Sequence, residues 1–296
     1  MWSPRGEHAD IGPRMLNRLR KNIVNTIASR HVVGTEIGEA LPVCRWAEGV
    51  GFRSILAPWA RSQDSRQAMF DRYRSAMESV AKENFNCYVS IKLEAIGYDS
   101  GLFAELVQVA KSMNVRLHLD SLGPDSAPVS FSYLERVAGV YGNLGCTLPA
   151  RWLRSLSDAE RAIEMGLAVR IVKGQWEDPG NARVDCKQNY LVIAGKLAAG
   201  ARCVGVATHD LPLAEKALRL LSSAKTNCEF EQLSTLPLNG MRSAKKLGCP
   251  YRLYVAYGQP GIPYNTKFAL SRPGMVAWVL ADFTFKPKKP WAGNVL

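Results

Sequence analysis

A chain of 296 residues, 47% hydrophobic and 22% charged, can bury one large core or two small ones, and no apolar run in it approaches the roughly 18 to 20 uninterrupted residues of a membrane span. The opening MWSPRGEHADIGPRMLNRLRK has no apolar centre of the kind a secretory leader needs, so a cytoplasmic location is expected. A net charge of +12 attracts polyanions, yet apart from RLRK at 18–21 and KPKK at 286–289 the Lys and Arg are dispersed; a solvated basic surface is expected, with no nucleic-acid stripe.

From the N-terminus, MLNRLRKNIVNTIASR places Leu16, Leu19, Ile23 and Ile27 at helical spacing, and EIGEALPVCRWAEGVG predicts a second helix, kinked near Pro42. Residues 1–50 therefore read as a helical segment packed on the outside of a larger domain. After Gly51 the rhythm changes. Eight short β-rich runs occur, at 52–59, 87–93, 115–121, 144–150, 167–174, 203–210, 228–233 and 251–258. Between them lie stretches of helical periodicity such as SRQAMFDRYRSAMESVAKEN, GLFAELVQVAKSMN, SDAERAIEMG, NYLVIAGKLAAG, LPLAEKALRLLSSA and LNGMRSAKKLG. Strand then helix, eight times over, predicts an α/β fold: a (β/α)8 barrel over 51–285 with a final helix over its mouth and a basic tail at 286–296. An open doubly wound sheet is the alternative, disfavoured because no GxGxxG comes after a strand. Cys44, Cys87, Cys146, Cys186, Cys203, Cys228 and Cys249 form no CxxC pair and have no His at ligand spacing, so reduced core thiols are expected rather than disulfides or a zinc site.

Lys92, Asp120, Lys173, Thr208, His209, Asp210, Glu231 and Tyr254 fall at or near the C-terminal ends of their strands. That is the end of a barrel where chemistry is done. Each alone can be a satisfied rim group; their convergence on one mouth points to a site without naming a reaction.

In SIKL with Lys92, HLDS with Asp120, VRIVKG before Trp176, VATHD, CEFEQL, and YRLYVAYG leading to PYNTKF and SRPG, the chain resembles the proline dehydrogenases over roughly residues 50–285. That family oxidises proline to pyrroline-5-carboxylate with FAD and passes electrons to a quinone. The resemblance implies that Arg170, Lys173 and Gly174, continued by Gln175 and Trp176, meet the flavin or its pyrophosphate. Thr208 and His209 would lie by its adenosine half or phosphates, and Glu231 near its ring. Lys92 and Asp120 would pair at the substrate mouth, where Tyr254, Leu233 and Tyr264 wall the pocket; Lys92, Asp120 and Tyr254 are the implied catalytic set. Structural roles stand beside each of these: Arg170 and Lys173 neutralised by Glu177 or Asp178, Lys92 with Asp120 fixing packing, His209 capping a helix.

The departures from the family are specific. Where it carries two arginines after its tyrosine, here stand Lys267 and Phe268, which keep a point charge but lose the planar fork. With charge-assisted hydrogen bonds at about 1.5 to 3 kcal/mol each, affinity for proline should fall roughly a hundredfold or more. Pro149 and Glu231 replace two glutamines of the family, and an ionised Glu231 would lower a flavin's potential, with Gln232 on the opposite face of its strand unable to compensate. Oxidation of a C–N bond in proline or a small cyclic amine or imino acid is expected, with a quinone or other acceptor and at most peripheral membrane contact through the tail. The alternative is a flavin-free barrel acting as a binding or accessory protein.

Overall fold

A computed structural model describes residues 31–61, 63–178, 180, 184–259 and 291. The expected helix at 14–30, and Tyr264, Lys267 and Phe268, lie outside them. Helix α1 (Ile37–Gly49) contains Pro42 and starts where Glu39 accepts the backbone N–H groups of Thr35 and Glu36 at 2.6 and 3.1 Å, satisfying donors that the first turn leaves open.

The eight strands are β1 (Arg53–Trp59), β2 (Cys87–Ile91), β3 (Leu117–Leu119), β4 (Leu144–Pro149), β5 (Ala168–Val172), β6 (Cys203–Ala207), β7 (Cys228–Leu233) and β8 (Tyr251–Gly258). All pair in parallel with their sequence neighbours, and β8 closes on β1 through Arg53↔Arg252 to Trp59↔Gly258. Between them run α2 (Arg66–Glu83), α3 (Ser100–Ser112), α4 (Ser126–Ala138), α5 (Ser155–Glu164), α6 (Cys186–Ala198), α7 (Leu211–Ser223) and α8 (Met241–Leu247), with a short 3-10 turn at Leu93–Ile96. The expected barrel is thus the observed fold. Four helices are started by a side chain: Ser65, Asp99, Asp185 and Asp210 each accept a backbone N–H of the helix's first turn. Helix α4 is not among the helical stretches named from sequence; its Pro128 and serines lower helix propensity, and burial of Phe131 and Leu134 in the shared core outweighs that.

Because strand side chains alternate, each strand has two buried faces of different chemistry. One set, including Val89, Ile91, Leu117, Leu119, Val169, Ile171, Val204, Val206, Leu253 and Val255, joins the helices in a continuous apolar core. The other set fills the barrel, and here it is polar: Tyr88, His118, Thr147, Arg170, Glu229, Glu231 and Arg252 are all buried. Barrels are ordinarily filled by branched aliphatics, so this interior is specialised.

Closure also depends on Gly258, at φ +112°, where a Cβ would stand 2.2 Å from the carbonyl oxygen of Trp59. Gly258→Ala is expected to destabilise the fold by at least about 2 kcal/mol, from backbone strain plus the clash, read as a lower urea midpoint with an unchanged slope. An unchanged midpoint would mean that the β1–β8 seam relaxes freely.

Candidate active site

At the C-terminal end of the barrel everything converges on Asp120, just beyond β3. Its Oδ2 accepts from Lys92 Nζ at 3.1 Å and from the Tyr254 hydroxyl at 2.7 Å, while its Oδ1 accepts from the Thr147 hydroxyl at 3.3 Å and contacts the Arg170 guanidinium. Arg170 also donates to Thr147 at 3.0 Å and lies over the Tyr254 ring, 5.0 Å from its centroid. Lys92, 5.3 Å from the centroid of Trp59, comes directly after β2 and is held through its backbone N–H, which the Tyr73 hydroxyl accepts at 3.1 Å. Asp120 thus has four donors on two oxygens. Its lone pairs are spent, so it orients its partners and has little capacity to act as a base.

The charges do not cancel at this point. Lys92 and Arg170 bring two positive charges against the one carboxylate, and Arg170, 4% exposed, has Nε and Nη1 without acceptors among the described residues. Donors left open in a buried site are costly unless an acceptor arrives, so this wall of the barrel fits an electron-rich, hydrogen-bond-accepting ring edge or an anion. A flavin's isoalloxazine edge is such a group.

A second cluster surrounds the ends of β5 and β6. Lys173, partly exposed, lies 3.8 Å from Asp210, which Lys187 also contacts at 2.8 Å. Gly174 comes next at φ +85° and its carbonyl accepts from Arg151 Nε at 2.9 Å. Gln175 and Trp176 continue the loop, and the Trp176 carbonyl accepts the indole N–H of the buried Trp152 at 3.0 Å. Thr208 closes a local turn, its hydroxyl accepting from the Asp210 backbone N–H at 3.1 Å. His209 is not the helix cap; Asp210 is. The His209 Nε2 instead accepts the backbone N–H of Leu233 at 3.1 Å, and burial, then Lys173, pushes its pKa down to about 4. It is a neutral acceptor joining the ends of β6 and β7. Arg170 pairs with Asp120 and Lys173 approaches Asp210, while Asp178 accepts the Leu153 backbone N–H at 3.0 Å.

Glu231 lies one inward-facing position below Leu233, inside the barrel. Its Oε1 accepts from the Tyr88 hydroxyl at 2.9 Å, its Oε2 has no partner among the described residues, and the carboxyl occupies space that a Cβ on Gly205 would fill, at 2.4 Å. Burial raises its pKa to about 7 against the pull of Arg170. Gln232 faces away, donating to the Thr208 carbonyl at 3.2 Å and accepting from Tyr251 at 2.7 Å.

Sequence reasoning missed Thr147, Tyr88, His118 and Trp59. All four lie on strands already identified; for Tyr88, His118 and Thr147 the signal available was period two, counted back from Lys92, Asp120 and Pro149.

No family model matches the chain. It is similar to proline dehydrogenase 2 of Bacillus subtilis, 19% identical over 288 residues that cover 92% of this chain and 95% of that one. Proline dehydrogenase 1 of the same organism is 23% identical over 272 residues, 86% and 89% of the two chains. Among solved structures, proline utilization A (PutA) from Bdellovibrio bacteriovorus inactivated by N-propargylglycine matches with a TM-score of 0.73 at 17% identity, covering 95% of this chain and 37% of that one. PutA from Corynebacterium freiburgense gives 0.62 at 16% identity, covering 92% and 34%. The chain thus spans about a third of the PutA chains but nearly the whole of the Bacillus enzymes. Two curated proteins of one name aligned almost end to end, over a barrel whose mouth gathers Lys92, Asp120, Arg170 and Tyr254, make this chain a distant relative of the proline dehydrogenases.

Proposed function

We propose that the chain oxidises proline, or a related small cyclic amine or imino acid, by hydride transfer to FAD bound across the barrel mouth. The observation that carries this is the Asp120 cluster, with its surplus positive charge and the open donors of Arg170. A bound flavin would supply the two-electron acceptor. The protein's part is to bind and orient.

Arg170, with Nε and Nη1 open, would hold the ring edge, Lys173 and Gly174 would hold the pyrophosphate, and Tyr254, held by Asp120, would wall the substrate pocket beside Leu233. Lys92 supplies a cation for an anionic substituent such as a carboxylate. Asp120 is fully engaged, and no protein residue need be a strong base if the amine arrives neutral, since its nitrogen lone pair would then assist hydride departure. Lys267, together with Lys92, takes over part of the carboxylate grip that an arginine pair would give. The electron acceptor is a quinone or another oxidant. Among the described residues no helix is long and apolar enough to cross a membrane; a cytoplasmic site of action, touching a membrane at most peripherally, fits this reading.

Purified protein is expected to show flavin absorption, or to acquire it on incubation with FAD, and to turn over proline at least about a hundredfold more efficiently than pyrrolidine, which lacks the carboxylate. A colourless protein that takes up no FAD would favour the accessory-protein reading. Equal efficiencies would remove Lys92 from carboxylate recognition.

A further inference from the structure

We propose that the N-terminal end of the barrel, opposite the candidate active site, holds a small divalent oxyanion of the phosphate class between Arg53 and Arg116. Three guanidiniums meet one carboxylate there. Arg252 binds Glu229 in two places, at 2.8 and 2.9 Å, and spends its remaining donors on the carbonyls of Ser54 and Asn86 and on Asn86 Oδ1. Arg53 and Arg116 reach the same carboxylate by one hydrogen bond each, at 3.0 and 3.3 Å. Both oxygens of Glu229 are then doubly occupied.

Two positive charges are left over. Glu231, the next carboxyl inward, is bonded to Tyr88 and, with burial raising its pKa to about 7, carries only part of a negative charge against them at neutral pH. Glu48 at the rim is exposed and accepts the Asn86 backbone N–H at 3.2 Å. Arg252 is buried and saturated, whereas the Arg53 side chain is 33% exposed and that of Arg116 16%, so these two face the opening with most of their planar donors uncommitted among the described residues. Arg53 starts β1 and Arg116 immediately precedes β3, on either side of β2. Arg116 is prevented from swinging away because its guanidinium lies 3.9 Å from the centroid of the Tyr88 ring, with Arg252 at 4.9 Å. Paired guanidinium forks of fixed orientation are the geometry that tetrahedral oxyanions take, and a point cation is not. A charge of two on the ligand matches the surplus.

Inorganic phosphate is the probe. In the full chain at constant ionic strength, replacing chloride with phosphate is expected to raise the melting temperature along a saturating curve at millimolar concentrations, with sulfate acting likewise, and to broaden the 31P resonance of the free ion. Arg53→Gln and Arg116→Gln should each raise the half-saturating concentration by about tenfold or more, the loss expected for one charge-assisted contact. Arg116 is the more buried and its variant the more exposed to misfolding; Arg53→Gln, at the rim, retains the fold and carries the test alone. A chloride-like, unsaturating response in the parent chain, or a phosphate curve unmoved by Arg53→Gln, overturns the assignment. The measurement needs no flavin and no substrate, so it stands or falls independently of the proposed oxidation.

Discussion

Asp120→Ala is expected to destabilise the protein by about 3 to 5 kcal/mol, the usual cost of removing one member of a buried ionic cluster. The side chain is 8% exposed and that of Arg170 4%, so without the carboxylate two cations would face each other with little water to screen them. Tyr254 and Thr147 would also lose their acceptor. Asp120→Asn keeps an oxygen for those two hydroxyls and loses only the charge, so it should lie between parent and alanine. Urea unfolding of the three proteins decides this. A loss below about 1 kcal/mol for the alanine variant would mean that Lys92 and Arg170 are neutralised elsewhere. In flavin-loaded protein the alanine change should also lower turnover by at least about a hundredfold, because Lys92, Arg170 and Tyr254 all take their positions from Asp120.

Glu231→Gln is expected to change stability in a pH-dependent way, with the variant ahead of the parent in base. The carboxyl titrates at about 7 in the folded chain, against an ordinary 4.5, chiefly because it is buried. Between those values the native state keeps a proton that the unfolded chain has released, so parent stability falls as pH rises from about 4.5 to about 7 and then levels. The total is about 3 kcal/mol at pH 8. Glutamine has no proton to lose and can still accept from Tyr88, but its amide N–H groups would stand where Oε2 lacks a partner, at a cost of about 1 kcal/mol. The net expectation is a gain of about 2 kcal/mol at pH 8 and a small loss at pH 5. Denaturation curves at both values suffice; parallel profiles for the two proteins would show that Glu231 titrates normally. Glu229 has the opposite sign. Burial works against its ionisation, but Arg252 and Arg116 hold it down to about 2, so its contribution is fully present above pH 4.5 and is lost as pH falls from there to about 2.

The barrel was legible from sequence because both signals it needs are local: runs such as CYVSIKL and YRLYVAYG carry strand chemistry, and the stretches between them carry helical spacing. The candidate site was legible at the strand ends, where Lys92, Asp120, Arg170 and Tyr254 do meet. What sequence did not convey is depth. Glu231 lies one inward position below Leu233, bonded to Tyr88, and whether an inward residue sits at the mouth or below it depends on the stagger of strands around the barrel, which no single strand encodes. The partner of His209 was equally hidden. Its acceptor role arises from a backbone N–H on the next strand, a contact 24 residues away in the chain.

Tyr88 leaves the two ends of the barrel uninsulated from each other. Its ring rests on the guanidiniums of Arg116 and Arg252, and its hydroxyl is bonded to the carboxyl that pulls on Arg170. A change in charge at the floor would therefore be transmitted upward through a medium of low polarisability: neutralising the floor lowers the positive potential that holds an anion at the opening above, and filling the opening lowers the floor's appetite for one.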